Sequence, residues 1–305
     1  MSVDPTPALP LSSAHVARQF ARRGDLSAAQ FLYGEIATRM MGRLNYIRVA
    51  PATLLDAGCG AGANLPLLHE KYPQAAYTGL DHVGALLAQA RKQHGTGPMR
   101  ALLGKMTGKS VPAPRFIEAD LAQTGLDPES MDLVWSNMAL HWHPRPHDVL
   151  AEWRRVLKTR ALAMFSCLGP TTLIELRDAL ASADLQTQTP SFVDMHDFGD
   201  LLIEKGFADP VMDQEVLTLT YRTPEKLLED VRALGGNPSL DRRAALTGKH
   251  WRTRLLQALE AQRGENGLIK LSIEVAYGHA WRTGSRRSSA TETRLSVDAI
   301  GGRRR

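Results

Sequence analysis

Apolar residues near the start of the chain recur at helical spacing. Val16, Phe20, Phe31, Leu32, Ile36, Met40, Leu44 and Ile47 fall mostly three or four apart, which predicts helix over residues 14–46. Beyond Thr53 the pattern changes to short apolar runs separated by amphipathic stretches. Strands are expected at 53–57, 76–80, 116–119, 133–136 and 162–167, with helices at 65–71, 83–93 and 147–157. Strands alternating with helices build βαβ units, so the expected fold is α/β, a doubly wound and mainly parallel sheet. Residues 95–114 interrupt the alternation with glycines, prolines and lysines and read as a surface insertion. Later, 197–206 reads as a helix ending on glycine, and 211–221 and 268–281 alternate as strands do. Between those strands, 224–261 is helical in pattern and broken at 235–238. This order predicts an antiparallel edge pair carrying a helical cap over the strand C-termini, where open α/β sheets bind ligands.

The stretch Leu54-Leu55-Asp56-Ala57-Gly58-Cys59-Gly60-Ala61-Gly62-Ala63-Asn64 joins the first strand to a helix through a loop with glycine at every second position. Glycine permits positive φ and close approach of backbone to a ligand. The spacing differs from the Gly-x-Gly-x-x-Gly of dinucleotide binders, in which a helix N-terminus meets a pyrophosphate. An aspartate in the loop would repel that anion and suits a ligand with an ammonium group and ribose hydroxyls. S-adenosylmethionine is such a ligand. Asp81 ends the second strand and can accept both ribose hydroxyls. Asp120 follows the third and can accept from an adenine amino group.

Composition adds limits. With 43% hydrophobic and 23% charged residues the chain is globular in type. It holds no run of the ~20 apolar residues a membrane helix needs, and residues 1–10 lack the basic start and apolar stretch of a secretory signal. Cys59 and Cys167 are too few for a disulfide framework or a cysteine zinc site, and a cytoplasmic location is expected. The net charge of +5 is concentrated: residues 282–305 hold seven arginines against Glu292 and Asp298, leaving 30 basic and 30 acidic residues elsewhere. The basic balance therefore marks a polar tail expected to be disordered, not a nucleic-acid-binding face, and no nucleic-acid or membrane partner is expected.

The loop, Asp81, Asp120 and Asp132-Leu133-Val134-Trp135-Ser136-Asn137 together resemble class I S-adenosylmethionine-dependent methyltransferases, over roughly residues 50–222 and 268–282. The resemblance implies a seven-stranded sheet with a reversed last strand. It implies that Gly58, Gly60 and Gly62 wrap the amino-acid part of the cofactor, with Asp81 at the ribose and Asp120 at the adenine. Asp56, Cys59 through its backbone, His82, Leu121 and Asn137 complete the implied cofactor set. The expected organisation is an N-terminal helical segment (1–49), a core (50–222), a helical cap (223–267), the last core strand (268–282) and the basic tail (283–305).

Further segments resemble the malonyl-acyl-carrier-protein O-methyltransferases of biotin synthesis. They are Gln19-Phe20-Ala21-Arg22-Arg23, Trp135 to Trp142, Glu152 to Lys158, and Phe165 to Arg177. That resemblance implies methylation of the free carboxylate of a malonyl group, with acyl carrier protein as the substrate carrier. Methyl transfer to another small molecule stays open. So does a hydroxylase-like assembly role, because a complex I assembly factor that hydroxylates arginine shares the N-terminal motif and the region resembling 192–221. Three departures stand out. The tyrosine expected shortly after the opening motif is missing, and Tyr33 is the nearest. The usual Pro-Gly-Gly turn is Thr159-Arg160-Ala161. The insertion at 95–114 is longer than usual.

Methylating a carboxylate needs no general base, since carboxylic acids ionise near pH ~4. It needs alignment, exclusion of water and a counter-charge. An arginine clamp is expected, with Arg177, Arg22 and Arg155 as candidates in that order. Trp142 is expected to line the transfer pocket, and His141 to serve as a base if the acceptor were a hydroxyl or amine. A metal site at His141, His143 and His147 is not expected, because prolines separate them and no cysteine is near. The segment 241–254, with Arg242, Arg243, Lys249, Arg252 and Arg254, is a candidate landing patch for an acidic carrier protein.

Overall fold

The computed structural model describes residues 8–24, 26–95, 112–243 and 248–284. Two helices open the chain, α1 (Ser13–Ala21) and α2 (Gln30–Leu44). The single helical stretch expected over 14–46 is interrupted between them, where Gly24 (φ 65°) and Leu26 (φ 62°) turn the chain through left-handed backbone. The core follows as β1 (Thr53–Ala57), α3 (Leu65–Lys71), β2 (Ala76–Asp81), α4 (Gly84–His94), β3 (Arg115–Glu118), β4 (Met131–Asn137), α5 (Pro146–Val156), β5 (Leu157–Leu168), α6 (Ile174–Ser182) and α7 (Met195–Glu204). It ends with β6 (Phe207–Tyr221), α8 (Pro224–Ala233), α9 (Lys249–Glu260) and β7 (Ile269–Arg282).

The seven strands form one sheet in the order β3-β2-β1-β4-β5-β7-β6. β1 to β5 pair in parallel, and β7 runs antiparallel to both β5 and β6. The order reverses at β1, so the C-terminal ends of β1, β2 and β4 diverge around a crevice where a ligand fits. Register places Asp56 opposite Gly79 and Trp135, and Asp81 opposite Glu118.

Central strands are apolar on both faces, as a sheet covered on both sides requires. Leu54, Leu133, Trp135, Leu162 and Met164 pack on one side with Ile36, Met40 and Leu44 of α2. Leu55, Val134, Ala163 and Phe165 pack on the other with Val149, Leu150 and Trp153 of α5 and Phe198 and Leu202 of α7. Side-chain alternation along each strand thus divides one apolar run between two cores. The first helical segment is therefore part of the fold: α2 packs on one face of β4 and β5.

The Thr159-Arg160-Ala161 segment is a bulge at the start of β5. Met131 pairs with Leu157 and Leu133 with Leu162, and Arg160 takes φ 65° in the extra residues. Among the described residues of the expected cap, α8 and α9 are helical and 234–243 are not, a longer break than the 235–238 expected. Most of the insertion expected at 95–114, and the tail after Gly284, lie outside the described residues.

Candidate active site

β1 delivers the chain into the glycine loop at the crevice. The N–H groups of Gly58 and Cys59 donate to the Leu80 carbonyl at 2.7 and 3.0 Å, binding the loop to the end of β2. Gly58 adopts φ 82°, and a Cβ on it would lie 2.2 Å from that of Ala139, so only glycine fits. Gly60 donates to Asp81 Oδ2 and Val83 to Asp81 Oδ1, both at 2.9 Å. Asp81 therefore links the glycine loop to the start of α4, and each oxygen keeps a lone pair for a ligand. Beneath the loop, Asp56 is fully buried and accepts from Tyr77 Oη at 2.7 Å and Asn64 Nδ2 at 3.3 Å. Asn64 is left with its own Oδ1, approached by Asn137 Nδ2 at 3.5 Å. Asn137 also donates to the Tyr33 carbonyl at 3.0 Å and accepts from Ser166 at 2.8 Å.

Burial pushes the Asp56 carboxyl up to about 7; hydrogen bonds from Tyr77 and Asn64 oppose the shift and nearby Asp81 adds to it. Burial raises Asp81 as well, against the pull of Val83 N–H, His82 and Gly60 N–H. A cation delivered here would relieve both. The cleft encloses about 920 Å³ of empty space including its open mouth, within the range of small-molecule sites. Gly58, Cys59, Gly60, Asp81, His82, Asp120, Leu121, Asn137 and Trp142 all contribute to its wall. Among the described lining residues there are two carboxylates, two histidines and no lysine or arginine. That donor set fits a cationic ligand with hydroxyls and does not fit a pyrophosphate, so the residues present suit S-adenosylmethionine.

A family model described as "Methyltransferase domain" matches residues 55–165. A malonyl-[acyl-carrier protein] O-methyltransferase of Laribacter hongkongensis is 42% identical over 260 residues, 85% of each chain. One from Nitrosospira multiformis is 37% identical, covering 94% of this chain and 95% of its own. The chain belongs to this methyltransferase family. Solved structures agree in fold: a putative methyltransferase from Bacillus halodurans aligns with a TM-score of 0.54 at 14% identity, over 81% of this chain and 99% of its own. A phosphoethanolamine N-methyltransferase from Haemonchus contortus aligns with the same TM-score at 13% identity, over 90% of this chain and 61% of its own.

Within this family member, several residues expected at the site lie elsewhere. His141 is not in the cleft wall; it is 2% exposed and packs against Trp142 and Phe192 at ring distances of 4.7 and 5.6 Å. Its Nδ1 accepts from Leu168 N–H at 3.3 Å, so the ring proton sits on Nε2, which is buried and has no partner. Burial also drives its pKa down to about 3. The arrangement, with its basic nitrogen occupied by Leu168 and the ring outside the cleft wall, does not favour His141 as a base. Arg177 folds back on its own loop, donating to the carbonyls of Thr172 at 2.6 Å and Pro170 at 2.8 Å. Arg155 grips Glu152 at 2.6 Å and the Leu126 carbonyl at 2.7 Å, at the far end of α5. Asp56 and Gly62 stand behind the wall: Gly62 takes φ 81°, and a Cβ there would meet His94 at 2.8 Å. Cys59 turns its thiol away from solvent, and burial pushes it well above the usual range. Among the described residues no group of three or more His, Cys, Asp or Glu could hold a metal. In the expected landing patch, Arg254 donates to the Ala183 carbonyl and Arg242 approaches His15 at 3.4 Å, while Lys249 and Arg252 are exposed.

The N-terminal helices supply walls that motif reading missed. Val16 and Phe20 of α1, Leu26, and Gln30 and Tyr33 of α2 all face the cleft. Phe20 meets Trp142 edge-on at 5.8 Å. Tyr33 is buried and donates to the Leu234 carbonyl at 2.7 Å, tying α2 to the end of α8. Tyr33, the tyrosine nearest the position where one is expected, thus lines the cleft with its hydroxyl on the Leu234 carbonyl. His143, whose Nε2 lies 3.1 Å from Asp120 Oδ1, and Met138, with φ 56°, also line the cleft. A positive φ at a non-glycine residue has no sequence signature.

Proposed function

We propose that the chain transfers a methyl group from S-adenosylmethionine to the free carboxylate of a malonyl thioester carried by acyl carrier protein, the step that admits the malonyl unit to biotin synthesis. Identity of 42% across 85% of both chains to a relative named for that reaction carries the reading. The cleft chemistry supports it: carboxylates at the ends of β2 and β3 suit the ribose and adenine, and the Asp56–Asn64 pair suits an ammonium group. Held there by the glycine loop, Asp81 and Asp120, the cofactor would supply a methyl on a positively charged sulfur for transfer to the acceptor oxygen. The protein then has to exclude water and hold the acceptor. Phe20, Leu26, Tyr33, Met138 and Trp142 form an apolar roof suited to the first task. No base is needed for an acceptor ionised at neutral pH, which is consistent with the occupied, neutral His141. We place the reaction in the cytoplasm, which suits two unpaired buried thiols.

Intact mass of malonyl-loaded acyl carrier protein after incubation with enzyme and cofactor tests the reading, with unloaded and acetyl-loaded carrier beside it. A methyl-sized gain confined to the malonyl form is expected. No gain, with cofactor binding confirmed in the same sample, would move the search to other acceptors.

A further inference from the structure

The proposed acceptor is an anion, yet the described cleft wall offers it Asp81 and Asp120 and no lysine or arginine. A carboxylate entering such a site needs a counter-charge from just outside the wall. A second cavity, of about 670 Å³ of empty space including its open mouth, lies where the C-terminal turn of α1 meets the end of α8, and Leu26 lines both it and the cleft. Arg22, Arg23 and Arg232 line it, with no described carboxylate among its lining residues.

Arg23 is the notable member. Its guanidinium lies over the Phe20 ring at 4.9 Å and donates from one terminal nitrogen to Gln19 Oε1 at 3.3 Å. The other terminal nitrogen is buried and has no partner. A buried donor left unmade is costly, and one that persists calls for a partner such as a water, an ion or a ligand. Gly236 of the cap keeps the space open: it adopts φ 65°, and a Cβ on it would lie 3.2 Å from the Arg23 guanidinium. Phe20, which carries Arg23 on its face, is itself cleft wall, so this charge stands one ring away from the transfer pocket. Arg22 and Arg232 are exposed at the mouth and form no ion pair among the described residues.

We propose that Arg23, with Arg22 and Arg232, forms a cationic subsite behind Phe20 whose charge draws the free carboxylate of the acyl substrate toward the cleft and thereby selects a charged acyl group over a neutral one. The proposal rests on the malonyl reading given above. Arg23 is then a specificity residue, and neither Arg177 nor Arg155, both held by their own neighbours, is the clamp.

The test compares binding of malonyl-loaded and acetyl-loaded carrier protein to the full-length enzyme saturated with S-adenosylhomocysteine. The unaltered enzyme is expected to prefer the malonyl form by about tenfold or more, the scale of one charge-assisted pair. Arg23→Gln should bring that preference close to unity with S-adenosylhomocysteine affinity unchanged, and Arg23→Lys should restore part of it. A preference intact in Arg23→Gln overturns the proposal. If that variant fails to fold, the exposed pair Arg22→Gln/Arg232→Gln is read instead, and an undiminished preference there has the same consequence. If the unaltered enzyme transfers no methyl to malonyl-loaded carrier, the substrate reading falls on its own. Sodium malonate at matched ionic strength then probes the subsite. A rise in melting temperature that Arg23→Gln abolishes keeps the subsite, and no rise removes it.

Discussion

Asp56 is a buried carboxylate whose environment favours its neutral form until a cation arrives. Its folded pKa of about 7 exceeds the unfolded value near ~3.9. The folded state therefore holds a proton between those two values that the unfolded state has lost, and stability falls as pH rises from ~4 to ~7. Asp56→Asn removes the charge and keeps an acceptor for Tyr77. Its melting temperature without ligand is expected to equal or exceed that of the unaltered protein at pH 8. Cofactor affinity is expected to fall about 3- to 10-fold, since Asp56, behind the wall, acts on the cofactor's positive charge through Asn64. Calorimetry between pH 5.5 and 8.5 checks both, and affinity in the unaltered protein should rise through pH ~7 as Asp56 ionises. Arg160 is an independent case. It holds φ 65° at a bulge, and an L-residue in left-handed backbone is strained by roughly 1–2 kcal/mol, part of which glycine returns through unfolded-state entropy. Arg160→Gly should raise stability by about 0.5–1 kcal/mol in denaturant titration and leave methyl transfer unchanged.

At the scale of elements, the end of α8 packs behind Trp142 and Tyr33, two residues of the cleft wall, and closes it from outside. Gly235 takes φ 143°, and a Cβ there would sit 2.1 Å from the Trp142 ring. Gly235→Ala is expected to cost about 2–3 kcal/mol through overpacking and backbone strain. It should also lower cofactor affinity, because displacing Trp142 moves Phe20 and the wall they share; thermal melts and cofactor titration read the two effects. This closure was the least legible part of the sequence. The βα alternation announced itself through period, and the strand-end aspartates through spacing, because both are local properties of the chain. Tyr33 enters the site by bonding to Leu234, and Arg23 meets Gly236. Neither contact has a period or a motif. The error at His141 has the same root: its place directly after β4 suggested the cleft, but the turn that follows directs the ring toward Leu168 and Phe192. Arg177 likewise stood at a strand end, and its unsatisfied neighbours were the carbonyls of its own loop.

The molecule as a whole carries its charge unevenly. Of the net +5, residues 285–305 contribute six arginines against Glu292 and Asp298, so the rest of the chain is close to neutral. An acidic carrier protein approaching a nearly neutral body gains little from long-range attraction unless the tail or the exposed Lys249 and Arg252 provide it. Such steering acts on the encounter rate, and it fades once the Debye length shrinks to ~8 Å at physiological salt. Removing residues 285–305 should therefore lower kcat/KM for the malonyl-loaded carrier about 3- to 10-fold at low ionic strength and flatten its salt dependence. Turnover at saturation and melting temperature should stay the same, since neither depends on how often the partners meet. Initial rates across a salt series decide the point. Convergence of the full-length and shortened enzymes at high salt identifies attraction by charge alone, whereas a difference that survives high salt means the tail touches the carrier directly. Equal rates at low salt would return the steering to the folded surface, with Lys249 and Arg252 as the first residues to neutralise.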